Sequence, residues 1–273
     1  EVYRSASATA DLTSDSNLSR AGANANEIIY PQISVSGLGD YDRNSGYVTG
    51  AVDLKWKTAQ FNYDRGTKIS VDVMDNEESR NLAFGMAGAT LMREKVAPEA
   101  DAFTFATLAA LENISKATGT VENATQFLDA LLTAWSKMDE DEVPQENRIL
   151  YATATLLNSV MALDTTKSRE VLAKFAVKKV VPQARFYTAI DLLDGKSSDE
   201  AAGHYKKGTT GADINFMIVH KPAIIKFDKH VVSNIIPAAS NPDADADIIK
   251  YRKYGIVDGY VNKRAGIYMN SKA

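Results

Sequence analysis

The residue types that most often perform catalysis or bind metals are scarce in this sequence. The chain has no cysteine, which excludes disulfides, thiolate nucleophiles and cysteine metal sites. Its three histidines, His204, His220 and His230, form no pair at metal-ligand spacing, and no Gly-x-Ser-x-Gly motif occurs. The sequence therefore predicts surface or strand-end positions for the histidines, and it predicts that the protein is not an enzyme.

Three further motifs suggest ligand binding, but each lacks a residue that the site would need. The glycine-rich stretch 208–211 has no Gly-Lys-Ser/Thr after it, so it does not match a phosphate-binding loop. The aspartates of 243–247 alternate as in a calcium loop, yet Ile248 replaces the required glycine and Tyr254 the bidentate glutamate. The acidic run 139–142 follows a helical pattern and is typical of a solvated helix end. No cofactor and no metal are expected.

Charge and hydrophobicity limit the possible partners. The formal net charge of -4 argues against a protein devoted to coating nucleic acid, which normally carries a basic excess. No apolar run approaches the roughly 20 residues that span a bilayer, so no membrane partner is expected. A loose group of basic residues lies near the end of the chain, and we expect it to pair with acidic groups within or between subunits. Its members are Lys250, Arg252, Lys253, Lys263 and Arg264.

The first 26 residues are mostly Ser, Ala, Thr, Asn and Asp, which cannot bury enough surface to fold alone. They predict either a disordered tail or an arm that becomes ordered along a neighbouring subunit.

From residue 27 to 75 the pattern becomes that of β-strands. Apolar residues at Val52, Leu54 and Trp56 alternate with charged ones, as in a strand with one apolar face. Turn-forming residues at 39–46 and 64–66 separate such segments. We therefore expect a long antiparallel ribbon, which needs another surface to pack against because two or three strands are marginal alone.

The middle of the chain predicts helices and a mixed α/β region. Asp75 has the position of a helix N-cap, and Pro98 that of the first residue of a second helix, whose body is apolar on most sides. A clean helical stripe follows at 124–138. Residues 148–152 read as a buried strand, and 248–269 are again β in character.

The parts described above follow one another as a polar N-terminal segment, a β-ribbon, a buried helical region, a mixed α/β region and a β-rich end. This order resembles that of the major capsid proteins of tailed bacteriophages, the Hong Kong 97-like fold, and several short stretches carry the same resemblance. Residues 37–47 are similar to the extended loop of that family, and 64–78 to the strand leading into its spine helix. The passage Val-Ala-Pro-Glu-Ala-Asp-Ala at 96–102 resembles the family's V-x-P-E-x-D-A. Residues 143–150, 251–254 and 261–268 resemble a strand of the axial domain and the closing pattern.

The resemblance implies an α+β fold with an N-terminal arm, an extended β-loop, a long spine helix, a peripheral domain and an axial domain. The expected ranges are 1–27 for the arm, 28–72 for the loop, 73–117 for the peripheral domain with the spine helix, 118–232 for the axial domain and 233–273 for the return strands.

The resemblance also implies that the chain self-assembles, through pentamers and hexamers, into an icosahedral virion shell around double-stranded DNA that it does not bind specifically. Assembly would take place in the host cytoplasm, with portal, scaffold or decoration proteins as further partners. The candidate subunit-interface residues are Asp40, Tyr41, Arg43, Tyr47, Trp56, Arg65, Arg252 and Lys263. Two alternatives remain open: the shell of an encapsulin-type nanocompartment, and a hydrolase or binding domain that uses residues 203–211 as a lid.

Overall fold

A computed structural model describes residues 6–14, 20–21, 26–78, 82–200 and 203–273. The described strands are β1 Arg20–Ala21, β2 Glu27–Val35, β3 Val52–Gln60, β4 Tyr63–Asp72, β5 Ser115–Thr118, β6 Arg148–Ala152, β7 Val177–Val180, β8 Ile190–Leu192, β9 Tyr205–Lys207, β10 Ile214–His220, β11 Ile224–Ile236, β12 Ala246–Gly259 and β13 Ile267–Ser271. The α-helices are α1 Val73–Glu78, α2 Leu82–Leu91, α3 Ala97–Ala110, α4 Ala124–Glu140, α5 Ala154–Leu163 and α6 Thr166–Ala173, and a π-helical turn, Met92–Val96, joins α2 to α3.

A mixed five-stranded sheet in the order β5-β13-β10-β6-β7 forms the centre of the larger core. Every residue of β6, β10 and β13 is buried, because the sheet is covered on both faces. Alternate residues therefore enter two different cores. One contains Ile149, Tyr151, Met217, Val219, Ile267 and Met269 with side chains of α3, and the other contains Leu150, Ala152, Phe216, Ile218 and Tyr268 with side chains of α4, α5 and α6.

The helical predictions for this region are confirmed. The stripe at 124–138 lies in α4, whose N-cap Asn123 accepts a hydrogen bond from the backbone N–H of Gln126 at 2.9 Å. Three side chains of this helix are completely buried: Phe127, Leu131 and Met138.

The predicted helix start at Pro98 is confirmed to within one residue, since α3 begins at Ala97. The structure adds that α3 directly continues α2 and the π turn, so that residues 82–110 form one helical run. The backbone N–H of Ala97 bonds to Met92 O, an i→i+5 bond of the π turn, and Pro98 itself has no N–H to donate. The π turn thus lets one helical run continue through a proline. The prediction of Asp75 as an N-cap is wrong by a few residues, since α1 begins at Val73.

A second sheet, in the antiparallel order β11-β12-β4, lies beside this helical run. β11 and β12 pair along almost their full lengths, from Ile224↔Gly259 to Ile236↔Ile248. The expected domain boundary at residue 232 falls inside β11, and β13 of the expected return segment pairs with β10 in the five-stranded sheet. The domain ranges stay predictions.

Residues 6–14 of the expected arm pack on their own subunit. Thr9 and Leu12 are completely buried, and Leu12 belongs to the core on the α3 side of the five-stranded sheet. For these residues, neither a disordered tail nor an arm lying only on a neighbour is correct, because the body of the chain already supplies their partners. The remaining expected arm residues 1–5, 15–19 and 22–25 lie outside the described residues.

Candidate assembly surface

β2 and β3 form a long antiparallel ribbon whose two faces differ in chemistry, and the short strand β1 pairs with the start of β2 at Ile28 and Ile29. Nine residue pairs run from Glu27↔Gln60 to Val35↔Val52. Since directly opposite residues share a face, the register places Pro31, Ile33, Val35, Val52, Leu54 and Trp56 together on one face. The opposite face carries Gln32, Ser34, Asp53, Lys55 and Lys57. The alternation predicted from the sequence is confirmed.

The apolar face of the ribbon is exposed to solvent in the single chain. Ile33 is 61% exposed, Leu54 51% and Trp56 46%. A side chain of this size normally contributes about 1.5–3 kcal/mol when it is buried. A contiguous apolar strip of this kind marks an interaction surface.

The tip of the ribbon brings together four of the predicted interface residues: Asp40, Tyr41, Arg43 and Tyr47. The rings of Tyr41 and Tyr47 lie 4.9 Å apart, and both are exposed. Between them the Asp42 carbonyl accepts a hydrogen bond from Gly46 N at 2.7 Å, and Gly46 has a φ of 80°, which glycine adopts without strain. The Asn44 N–H donates to the carboxylate of Asp42 and thereby lowers the pKa of that group.

The base of the ribbon is fixed to the body of the subunit. Ile28, Tyr30 and Ala59 are buried in a small core with Ile225 of β11 and Ile256 of β12. The ribbon therefore has an anchored base and a projecting, apolar end.

Arg65, another predicted interface residue, contacts its own subunit. Its Nε lies 2.7 Å from Glu99 Oε1, and its Nη2 donates to His204 O at 3.2 Å. Burial alone would raise the pKa of Glu99, but the imidazole of His204, whose Nδ1 lies 3.5 Å from Glu99 Oε2, and the hydrogen bonds from Arg65 hold it below its ordinary value. The contacts of Arg65 thus connect the start of β4 to α3 and to the residue that precedes β9.

The basic residues near the end of the chain pair mostly within the subunit. Arg252 donates two hydrogen bonds to Asp64, at 2.9 and 2.7 Å. Lys253 lies 3.0 Å from Asp228 and Arg264 3.8 Å from Asp258. For these three the predicted acidic partners are confirmed. Lys263 lies over the ring of Tyr260, 5.4 Å from its centroid.

Sequence reasoning missed a buried polar cluster that holds residues 6–14 in place. Asp101, completely buried in α3, accepts hydrogen bonds from the backbone N–H groups of Ala8 and Thr9, from the hydroxyls of Ser7 and Thr9, and from Arg185 at 3.0 Å. Lys226 donates to Thr9 O and to Thr9 Oγ1, at 2.8 and 2.7 Å. Burial lowers the pKa of Lys226 to about 8. An aspartate in an otherwise apolar helix was the available signal.

The two remaining histidines, His220 and His230, lie on strands. His220 ends β10 and is buried, which lowers its pKa, whereas His230 is exposed on β11. No group of three or more His, Asp or Glu suited to a metal occurs in the described part of the chain. None of the described helices is both long and apolar enough to cross a membrane.

The comparisons with known proteins give a result at the level of structure only. No protein-family model and no curated protein matches the sequence. A structure described as Mycobacterium phage Che8 matches with a TM-score of 0.64 at 14% identity over 99% of this chain and 92% of that one. The capsid structure of the cyanophage P-SCSP1u matches with a TM-score of 0.62 at 12% identity over 100% and 90%. The chain has the fold of a phage capsid protein.

The same fold is present in a further structure from a cellular source. A virus-like particle from Pyrococcus furiosus matches with a TM-score of 0.55 at 9% identity, over 88% of this chain and 86% of that one. The matched structures are covered over most of their length, so the likeness concerns the whole architecture and not one motif.

Proposed function

We propose that this protein is the major capsid protein of a tailed phage, which self-assembles into the icosahedral shell around a double-stranded DNA genome. The observation that carries the proposal is the ribbon of β2 and β3: a projecting element with an exposed apolar face, on a chain that has the fold of phage capsid proteins.

The physical argument is that the ribbon is incomplete as a monomer. Ile33, Val35, Val52 and Leu54 are each more than half exposed, so their burial must come from another surface. Identical subunits that bury the same element head to tail form rings or closed shells. A shell subunit therefore accounts for a feature that an isolated globular domain would not need.

In this proposal the parts of the chain follow the Hong Kong 97-like arrangement. Residues 1–27 would be the arm, 28–72 the extended loop, 73–117 the peripheral domain with its spine helix, 118–232 the axial domain and 233–273 the return strands. The uninterrupted helical run 82–110 and the ribbon support the assignment of the spine helix and of the extended loop. The role is structural and not enzymatic.

The proposed partners are other copies of this chain, in pentamers and hexamers, with portal, scaffold or decoration proteins at specialised positions. The packaged DNA would be enclosed without specific binding, which agrees with a net charge of -4 and with the pairing of Arg252, Lys253 and Arg264 inside the subunit. The finished protein would lie in the virion, after assembly in the host cytoplasm.

Electron microscopy of the purified protein tests this proposal. Closed icosahedral particles are the expected result, and a chain that stays monomeric at high concentration, under conditions in which capsid proteins assemble, would overturn it.

A cellular shell of the encapsulin type is the second candidate, supported by the likeness to the Pyrococcus furiosus particle. The nucleic-acid absorbance of particles isolated from their native source separates the two. A DNA-filled particle supports the phage capsid, whereas a nucleic-acid-free particle with an enclosed protein supports the compartment.

A further inference from the structure

A cleft opens along the free edge of β4. Five consecutive β4 residues, 65–69, line it, and consecutive residues point to alternate faces, so the backbone edge of the strand forms part of this wall, next to Tyr251 of the paired strand β12. Leu91, Lys95 and Val96 form the second wall, and the turn between β8 and β9, at 193–196 and 203–204, forms the third. The cleft has a volume of about 560 Å³, which lies within the range of about 300–1,000 Å³ for ligand sites.

The edge that borders this cleft is unpaired. Among the described strands β4 pairs with β12 alone, from Tyr63↔Gly255 to Asp72↔Ala246. The other edge of an antiparallel strand presents N–H and C=O groups that can pair with an added strand. At about 3.3 Å per residue, residues 65–69 accommodate roughly five residues of an extended peptide.

The cleft is electropositive. Four basic side chains line it, Arg65, Lys68, Lys95 and Lys196, against two acidic ones, Glu99 and Asp194. The Glu99 carboxylate is bound by Arg65, and that of Asp194 accepts hydrogen bonds from the N–H groups of residues 196 and 197 in its own turn. Lys68, Lys95 and Lys196 form no ion pair with a described residue, so three ammonium groups remain for an acidic ligand.

From these observations we propose that the cleft is a docking site for an extended acidic peptide of a partner protein, which adds as a fourth strand to the edge of β4. Alternate side chains of the peptide would contact Leu91, Val96 and Ile69, and its carboxylates would pair with the three lysines. This inference does not depend on the proposed function, because a single subunit contains the whole site.

The described acidic stretches of this chain do not supply such a strand to another copy. Each is helical or closed into a turn: 75–78 in α1, 139–142 at the end of α4, 40–42 in the ribbon tip and 241–245 after Ser240. Since no described stretch of this chain is a suitable occupant, the proposed occupant is a segment of a different protein.

The test uses a fluorescent seven-residue peptide of alternating Glu and Val, with a Lys–Val peptide as the matched probe. Fluorescence anisotropy with the full chain should show the acidic peptide binding at least about tenfold more tightly. A Lys95→Glu/Lys196→Glu double variant should lower the affinity for it at least about tenfold, whereas the distant pair Lys116→Glu/Lys272→Glu should leave it unchanged. Equal binding of both peptides, equal loss in the two double variants, or no binding would overturn the proposal.

Two further measurements test the geometry and the source of the occupant. Methylation of the odd or of the even backbone nitrogens of the peptide should abolish binding for one series and preserve it for the other, because a strand bonds to a sheet edge through alternate residues. Equal binding of the two series would exclude strand addition. Since the chain has no cysteine, Thr67→Cys, at an exposed position that lines the cleft and is not one of the three lysines, carries a single photocrosslinker. It should label the added peptide, and a crosslink to a second copy in assembled particles would show that the site belongs to self-assembly instead.

Discussion

The exposed apolar face of the ribbon leads to a quantitative prediction. Ile33 and Leu54 lie directly opposite each other on β2 and β3 and are 61% and 51% exposed. Full burial of such a side chain contributes about 1.5–3 kcal/mol, so burial of the exposed parts contributes about 1 kcal/mol each. Replacement of both by serine should therefore weaken each ribbon contact by about 2 kcal/mol, or roughly 30-fold in its association constant.

The same substitutions should leave the subunit intact, because exposed positions normally change the free energy of unfolding by less than about 0.5 kcal/mol. Assembly is measured by light scattering and analytical ultracentrifugation as a function of subunit concentration, and folding by urea denaturation. We expect Ile33→Ser/Leu54→Ser to raise the concentration needed for assembly strongly at nearly unchanged stability.

The neighbouring residue pair, on the polar face of the ribbon, provides a matched control. Gln32 and Lys55 also form a directly opposite pair, and Gln32→Ser/Lys55→Ser should assemble almost normally. If the two double variants assembled equally well, the apolar face would not be the contact surface and the reasoning would be refuted.

Four further predictions concern the tip, a surface ion pair and the buried cluster. Deletion of residues 37–46 should give a folded subunit, as judged by circular dichroism, that assembles poorly. Arg252→Glu should reduce particle yield while the particles that form retain their DNA. Asp101→Asn should lower the free energy of unfolding by about 3 kcal/mol or more and expose residues 6–14 to proteolysis, since it removes the buried negative charge that faces the buried Arg185 at 3.0 Å. In the unchanged protein Lys226 should make the free energy of unfolding rise between about pH 8 and pH 10, and Lys226→Met should remove this rise.

The sign of the last effect follows from proton linkage. Burial holds the folded pKa of Lys226 at about 8, below the ordinary value of 10.5, so between these values the unfolded chain binds more protons than the folded one. Stability contributed by this group therefore increases as the pH rises. Urea denaturation of both proteins at several pH values measures the difference, and parallel pH profiles would contradict it.

Controls for the other variants are available on the same chain. Asp164→Asn breaks the exposed pair with Arg169 and should cost less than about 1 kcal/mol, in contrast to Asp101→Asn. Arg169→Glu is the matched charge reversal for Arg252→Glu. Normal particles from the tip deletion, or intact particles that release their DNA after Arg252→Glu, would show that these assignments are wrong.

Local periodicity was sufficient to predict most elements of this protein. The strands at 52–60 and 148–152 and the helix at 124–140 follow from side-chain spacing, because a face that must be buried repeats with the period of the backbone. The polar N-terminal composition was misleading for residues 6–14. This segment is ordered by hydrogen bonds from its backbone N–H groups to the carboxylate of Asp101. Amino-acid composition does not reveal such a partner.

Other features depend on contacts between segments that are distant in the sequence, and only the tertiary structure determines them. The sequence predicted an apolar strand face at Val52, Leu54 and Trp56 but could not show that this face stays exposed, because the same alternation is expected for a face that packs on a core. Arg65, predicted at an interface, bonds to Glu99 because α3 passes beside the base of β4. The cleft at the β4 edge forms because the β8–β9 turn and the helical run lie beside a strand whose other edge pairs with β12. Spacing along the chain determines which side chains share a face, whereas long-range packing determines which faces remain for another molecule.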